Sequence, residues 1–83
     1  MARANGNLSQ PTFNEYGLTE QEAFNLEGLI DRRGIEKVLQ QITEICGLKA
    51  QHVAEYWLDA ATAMRWATLE SAVGAASTKA TGL

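Results

Sequence analysis

The chain has one cysteine, one histidine and one proline among its 83 residues, and this scarcity excludes several ways of stabilising a small protein. Cys46 has no second cysteine with which to form an intramolecular disulfide. Cys46 and His52 together cannot complete a four-ligand Cys/His zinc site. We therefore predict no bound metal and no cofactor. A lone cysteine suits a reducing compartment, so we expect a cytoplasmic protein.

Large aromatic side chains are also scarce, with two each of Phe, Tyr and Trp. A chain of this length buries a small fraction of its surface, so its folded state is marginal without added contacts. Because disulfides and zinc are excluded, a second copy or another protein must supply those contacts. We predict a homo-oligomer, most simply a dimer, with a protein partner.

The chain also lacks excess positive charge and long apolar runs. Its net charge of −3 disfavours general nucleic-acid binding, which needs a basic surface. The same charge disfavours anionic membranes. No segment of the sequence approaches the ~20 apolar residues that a membrane span needs. We therefore expect no membrane association, and we expect nucleic acid to be a disfavoured partner.

The order of residue types predicts an irregular arm over residues 1–18, a helical domain over 19–73 and a flexible tail over 74–83. Asn, Gly, Ser and Pro interrupt any periodicity in the arm. Phe13 or Tyr16 is nevertheless expected to pack onto the body. The tail is small and polar, which is typical of flexible ends.

Local signals predict where the helices begin. Thr19 and Glu22 have the spacing of a capping box, and Gly34 is suited to a left-handed cap that ends a first helix at about residue 33. Asp59 can cap a further helix over about 60–73.

The segment between these helices carries the clearest pattern in the chain. When each residue is advanced by about 100°, its apolar side chains fall on one stripe about 100° wide. The stripe contains Ile35, Val38, Leu39, Ile42, Cys46, Val53 and Trp57. It is longer than two short flanking helices can readily cover, which favours a symmetric dimer. We predict an all-α, three-helix protein with a long central amphipathic helix over 35–57.

Aromatic residues are enriched at binding hot spots, and Trp57 lies in this stripe with Tyr56 at its edge. A place in the core is the alternative role for both Trp57 and Trp66. The predicted protein interface comprises Leu39, Ile42, Cys46, Val53, Tyr56, Trp57 and Trp66.

Gly47, Leu48 and Lys49 interrupt the stripe and leave two interpretations open. On a continuous helix Leu48 points to solvent and Lys49 lies within the stripe. Alternatively, the chain turns at Gly47 and forms a helix-turn-helix, which turns Leu48 inward and frees Lys49. The recognition surface would then consist of Lys49, Gln51, His52 and Glu55.

Catalytic residues are not predicted anywhere in the chain. Cys46 and His52 would diverge by about 240° on a straight helix, so they cannot form a nucleophile–base pair. The carboxylates fall on polar faces, and the glycines match no phosphate-binding motif. We therefore do not expect an enzyme.

Across about residues 26–66 the pattern resembles a set of short bacterial and phage proteins without an assigned function. In those proteins polar residues usually fill the positions of Gly47 and Leu48, which favours a continuous helix. The resemblance implies no activity. The positions that carry it are Leu29, Ile30, Asp31, Gly34, Val38, Leu39, Glu44, Ile45, Cys46, Lys49, Ala50, His52, Val53, Trp57, Asp59 and Trp66.

The leading functional hypothesis is a non-enzymatic, self-associating protein–protein interaction module. Its size suits a small accessory or inhibitor protein of a phage or mobile element. The alternative is a helix-turn-helix DNA-binding regulator with its turn at Gly47.

Overall fold

A computed structural model describes residues 12–83, and these residues form helices joined by short turns. Strand-like pairing within them is limited to one isolated bridge between Phe13 and Thr19. The predicted all-α class is therefore confirmed, while residues 1–11 of the predicted arm lie outside the described residues. The elements are α1 (Glu20–Arg33), α2 (Ile35–His52), a π-helical turn (Val53–Trp57) and α3 (Ala60–Lys79).

The first helix begins with the predicted capping box. The Glu22 amide donates to Thr19 Oγ1 at 3.1 Å, and the Thr19 amide donates to Glu22 Oε1 at 2.9 Å. These bonds satisfy backbone donors that a helix start would otherwise leave without a partner. Just upstream, Asn14 Oδ1 accepts from the amides of Tyr16 and Leu18, which holds the chain in a turn before α1.

Gly34 separates α1 from α2 by its backbone conformation. Its φ of 88° and ψ of 146° belong to a region that side chains with a Cβ rarely adopt. Gly34 therefore ends α1, as predicted, but its ψ is extended rather than left-handed. α2 starts at the next residue. Within the described residues, α1 contacts α2 and not α3, and none of its residues is buried.

α2 and α3 form an antiparallel hairpin, which is the main packed unit of the protein. The Thr81 hydroxyl, just after α3, donates to Glu36 Oε2 in the first turn of α2 at 3.3 Å. Further along, the close approaches between the helices involve glycine on one side and a longer side chain on the other. The register is marked by Thr81 with Glu36, Gly74 with Thr43, and Gly47 with Glu70.

α2 passes through Gly47 without a turn, so the predicted alternative with a turn at this residue is wrong. The positive-φ glycines among the described residues are Gly17, Gly34 and Gly82. The reason for a glycine at position 47 is tertiary. A Cβ at Gly47 would lie 2.6 Å from Glu70 Oε2, so the glycine makes room for a side chain of α3.

The core of the described residues is small because small side chains build it. Its buried apolar residues are Val38, Cys46, Ala63 and Ala80, and Cys46 is 2% exposed. Ser77 is also buried, and its hydroxyl donates to the Gly74 carbonyl at 2.8 Å. Small residues let two helices approach closely, but they remove little apolar area from water.

α3 ends at Lys79, and the predicted end near residue 73, with a flexible tail from 74, is wrong on this point. Gly74 does not stop the helix because it faces α2, where a Cβ would be 3.6 Å from Thr43 Cγ2. Burial of Ser77 and Ala80 stabilises the extra turns.

The predicted packing of the arm aromatics onto the body is also wrong. Phe13 is 57% exposed and Tyr16 is 79% exposed. The turn that carries them is held by Asn14 and by its own backbone, so it has no need of an apolar contact with the helices.

Replacing Gly47 with alanine should stabilise the protein by about 0.5–1 kcal/mol, because alanine is the better helix former. Glu70 can swing away from the new methyl group, since the clash involves the end of a flexible side chain. Urea unfolding followed by circular dichroism measures the change.

Gly34→Ala is the matched control and should destabilise the protein by about 1–3 kcal/mol, because its φ is 88°. A loss of stability in Gly47→Ala would contradict the prediction and would show that Glu70 cannot move away from the new methyl group.

Candidate protein interface

Three adjacent large apolar side chains are exposed where the hairpin turns. Tyr56 is 74% exposed, Trp57 is 71% exposed and Leu58 is 84% exposed. We call these three residues the aromatic tip. Consecutive exposed apolar residues of this size are unfavourable on an isolated protein and usually mark a contact surface.

The backbone under the aromatic tip is irregular. Val53–Trp57 forms a π-helical turn, and Leu58 adopts a left-handed conformation with φ 52° and ψ 35°. The Leu58 amide still donates to the Val53 carbonyl, which closes the turn. A left-handed leucine is strained by about 1–2 kcal/mol, and π-helical turns occur frequently at functional sites. The tip is therefore a specific local structure and not a loose loop.

Asp59 directly follows the aromatic tip and caps the start of α3, as predicted. Its Oδ1 accepts from the Thr62 amide at 3.0 Å, and its Oδ2 accepts from the Thr62 hydroxyl at 2.8 Å. The Thr62 amide and then its hydroxyl stabilise the carboxylate, so the pKa of Asp59 lies below its usual value of 3.8.

His52 supports one side of the tip. Its ring centroid is 4.8 Å from that of Tyr56, with the two rings inclined by 35°. This residue is exposed, whereas Cys46 is buried, so the structure places the lone imidazole and the lone thiol in different surroundings.

A second apolar surface lies along the outer side of α3. Met64 is 69% exposed and Leu69 is 45% exposed, and they border a shallow cavity of about 870 Å³. Arg65 is the one charged residue that lines this cavity. Its lining is completed by Ala61, Thr62, Trp66, Thr68 and Ala72.

The predicted interface residues fall into three groups. Tyr56 and Trp57 are exposed and lie together in the aromatic tip, and Cys46 is buried inside the protomer. Cys46 is therefore unavailable to a partner, because α2 and α3 enclose it, and its assignment to the interface is wrong. The remaining predicted residues are half-buried: Leu39, Ile42, Val53 and Trp66.

Sequence reasoning missed other exposed apolar residues that were not assigned to the interface. Leu58 completes the aromatic tip, and Met64 lies on the outer side of α3. Leu48 is 58% exposed, as expected for a continuous helix. The available signal for Leu58 was its position in a run of three large residues directly before the cap Asp59.

The predicted DNA-reading residues do not lie on a separate recognition helix. Lys49, Gln51 and His52 belong to the end of α2, and Glu55 belongs to the π-helical turn. Gln51 Nε2 donates to Glu55 Oε2 at 3.5 Å, so these two side chains are directed at each other. The helix-turn-helix geometry on which that hypothesis depended is absent at this place.

Residues 12–83 contain neither a metal-ion site nor a membrane-spanning helix. No group of three or more His, Cys, Asp or Glu side chains in that range is arranged to hold a metal ion. Nor does that part of the chain contain a helix with the length and apolar character that crossing a membrane requires. That the protein is not an enzyme stays a prediction.

The lowered pKa of Asp59 predicts a specific acid sensitivity. The stability that Asp59 contributes is fully present above its unfolded pKa and is lost as the pH falls through the lower folded value. Asp59→Asn keeps a cap oxygen for the Thr62 amide but does not titrate. We expect the unfolding free energy of Asp59→Asn to decline less steeply below about pH 4.

Thr62→Val is the control for this measurement, because it removes the hydroxyl donor and keeps the backbone donor. Below about pH 4, its unfolding free energy should fall less steeply than that of wild type and more steeply than that of Asp59→Asn. Parallel curves for wild type and Asp59→Asn in urea titrations would show that the cap does not depend on charge.

No family model, curated protein or solved structure matches this chain. The resemblance to short bacterial and phage proteins therefore stays a prediction.

Proposed function

We propose that this is a non-enzymatic interaction protein that pairs with a second copy of itself and presents the aromatic tip to another protein. The observation that carries the proposal is the distribution of apolar side chains in residues 12–83. The buried ones are mostly small, whereas Trp57, Leu58 and Met64 are each about 70% exposed or more.

The energetics of such a core support association. Burial of a valine such as Val38 contributes about 1.5–3 kcal/mol, and the methyl groups of Ala63 and Ala80 contribute less. Ordering each backbone residue opposes folding by about 1–2 kcal/mol. A protomer that leaves its largest apolar side chains in water therefore gains stability by covering them with a second chain.

The two surfaces have separate roles in this proposal. Self-association uses the helices, away from the aromatic tip. The aromatic tip lies at the opposite end of the hairpin from α1, so it stays free to contact a different protein. Tyr and Trp are the residue types most often found at the energetic centre of such contacts.

We further propose that the protein is a cytoplasmic accessory or inhibitor protein of a phage or mobile element. A short helical chain that acts by binding is typical of accessory and inhibitor proteins of phages and mobile elements. The buried, unpaired Cys46 suits the reducing cytoplasm, where no disulfide is needed.

Sedimentation across protein concentrations tests self-association directly. We expect a dimer that dissociates on dilution, and a thermal midpoint that rises with protein concentration because the folded state is the associating one. A single-protomer mass at every concentration, together with a midpoint that does not change, would contradict the proposal.

The two tryptophans provide a matched test of the role of the tip. Trp57→Ala should change the unfolding free energy by less than about 0.5 kcal/mol, because the side chain is 71% exposed. Trp66→Ala should destabilise the protein by more than about 1 kcal/mol, because Trp66 is half-buried. Urea unfolding and sedimentation measure both variants. If Trp57→Ala also dissociated the dimer, the tip would belong to the self-association surface.

A further inference from the structure

α1 is the helix with the least cover in the described part of the protein. None of its residues is buried, and it touches α2 but not α3. Leu26 is 42% exposed and Leu29 is 40% exposed. These leucines are three positions apart, so they lie on the same side of the helix.

The two ends of α1 carry opposite charges, and Glu27 and Asp31 lie between the two groups. Glu20 and Glu22 lie in its first turn, and Arg32 and Arg33 lie in its last turn. A helix that is acidic at one end and basic at the other is complementary to an antiparallel copy of itself. Antiparallel pairing also places the oppositely charged ends of two helix dipoles side by side.

The charged ends and the leucines share one face. Glu22, Leu26, Leu29 and Arg33 follow the spacing of four, three and four residues that marks a paired-helix seam. We call these four residues the α1 seam. About a two-fold axis between the leucines, Leu26 of one copy lies opposite Leu29 of the other. The same axis places Glu22 opposite the second copy's Arg33, and symmetry repeats the pair at the other end.

The capping box makes Glu22 suitable for this pairing. Its Oε1 accepts from the Thr19 amide at 2.9 Å, which holds the side chain at the start of α1. A carboxylate has several acceptor positions, so Glu22 can also accept from an arginine of a second copy.

In the proposed pair, Glu22 of the second copy lies beside an open cavity next to Arg33. The angle between α1 and α2 contains a cavity of about 580 Å³, and Arg32, Arg33 and Lys37 line it. We call this cavity the basic notch. Leu29 and Val38 provide its apolar lining, and Gln41 completes it.

Among residues 12–83, no carboxylate accepts a hydrogen bond from these cations. Within the described residues, the hydrogen bonds that carboxylates accept come from backbone amides, glutamine amides and threonine hydroxyls. Three cations in a chain of net charge −3 thus border a cavity that an acidic segment can enter.

We propose that two copies associate through an antiparallel pair of α1 helices, in which the acidic start of each α1 enters the basic notch of the other. Leu26 and Leu29 form the apolar centre of the contact, and Glu22 with Arg33 forms each end. This inference rests on the proposed self-association and names its surface.

A charge-exchange experiment tests the pairing. Glu22→Arg alone puts arginine opposite Arg33 at both ends of the pair, and Arg33→Glu alone puts glutamate opposite Glu22. Each variant should weaken its own dimer by about 10-fold or more, because like charges then meet. An equimolar mixture should restore an affinity within about 3-fold of wild type, since both ends of the mixed dimer are again complementary. Sedimentation of each variant and of the mixture measures this.

Two further variants keep the result interpretable. Asp31→Arg makes the same charge change as Glu22→Arg on α1 but lies away from the α1 seam, so by itself it should dimerise with an affinity within about 3-fold of wild type. Glu22→Gln keeps an oxygen for the Thr19 amide and removes the charge. It should weaken the dimer while circular dichroism shows unchanged helix content.

The outcomes separate this inference from the proposal on which it rests. A wild-type protein that is monomeric at every concentration overturns both. A wild-type dimer that is unaffected by the two reversals, or that the mixture fails to restore, overturns the α1 pairing and leaves self-association through another surface.

Discussion

The close packing of α2 on α3 is the constraint on which the rest of the structure depends. The helices approach where glycines face longer side chains, Gly47 under Glu70 and Gly74 beside Thr43. The buried residues are Val38, Cys46, Ala63, Ser77 and Ala80, so the hairpin buries little apolar area. Its large apolar side chains consequently lie outside, where a second chain can cover them.

Two of the exposed surfaces lie at opposite ends of the α2–α3 hairpin. Gly34 directs α1 away from the hairpin, and the π-helical turn with left-handed Leu58 presents the aromatic tip at the other end. We propose that the first end joins two copies and that the second binds a different protein. In this arrangement, association stabilises the fold and leaves the aromatic tip accessible, so assembly and recognition do not compete for one surface.

Part of the candidate site could be predicted from the sequence, because Tyr56 and Trp57 are large aromatic residues of the type enriched at binding hot spots. Cys46 could not be assigned in the same way. On a helical projection it belongs to the same stripe as Ile42 and Val53, yet the structure buries it within the protomer. A helical projection shows which residues share a face, but it does not show which part of that face the next helix covers.

The sequence by itself determined the all-α class and the helix starts at Thr19 and Asp59, because capping hydrogen bonds join residues three positions apart. Tertiary structure alone decided that the helix passes through Gly47 and that α3 continues to Lys79. The physical reason is the same in both cases. A glycine ends a helix when its backbone turns, as at Gly34, and a helix continues through a glycine whose backbone stays helical, as at Gly47 and Gly74, where the neighbouring helix packs closely.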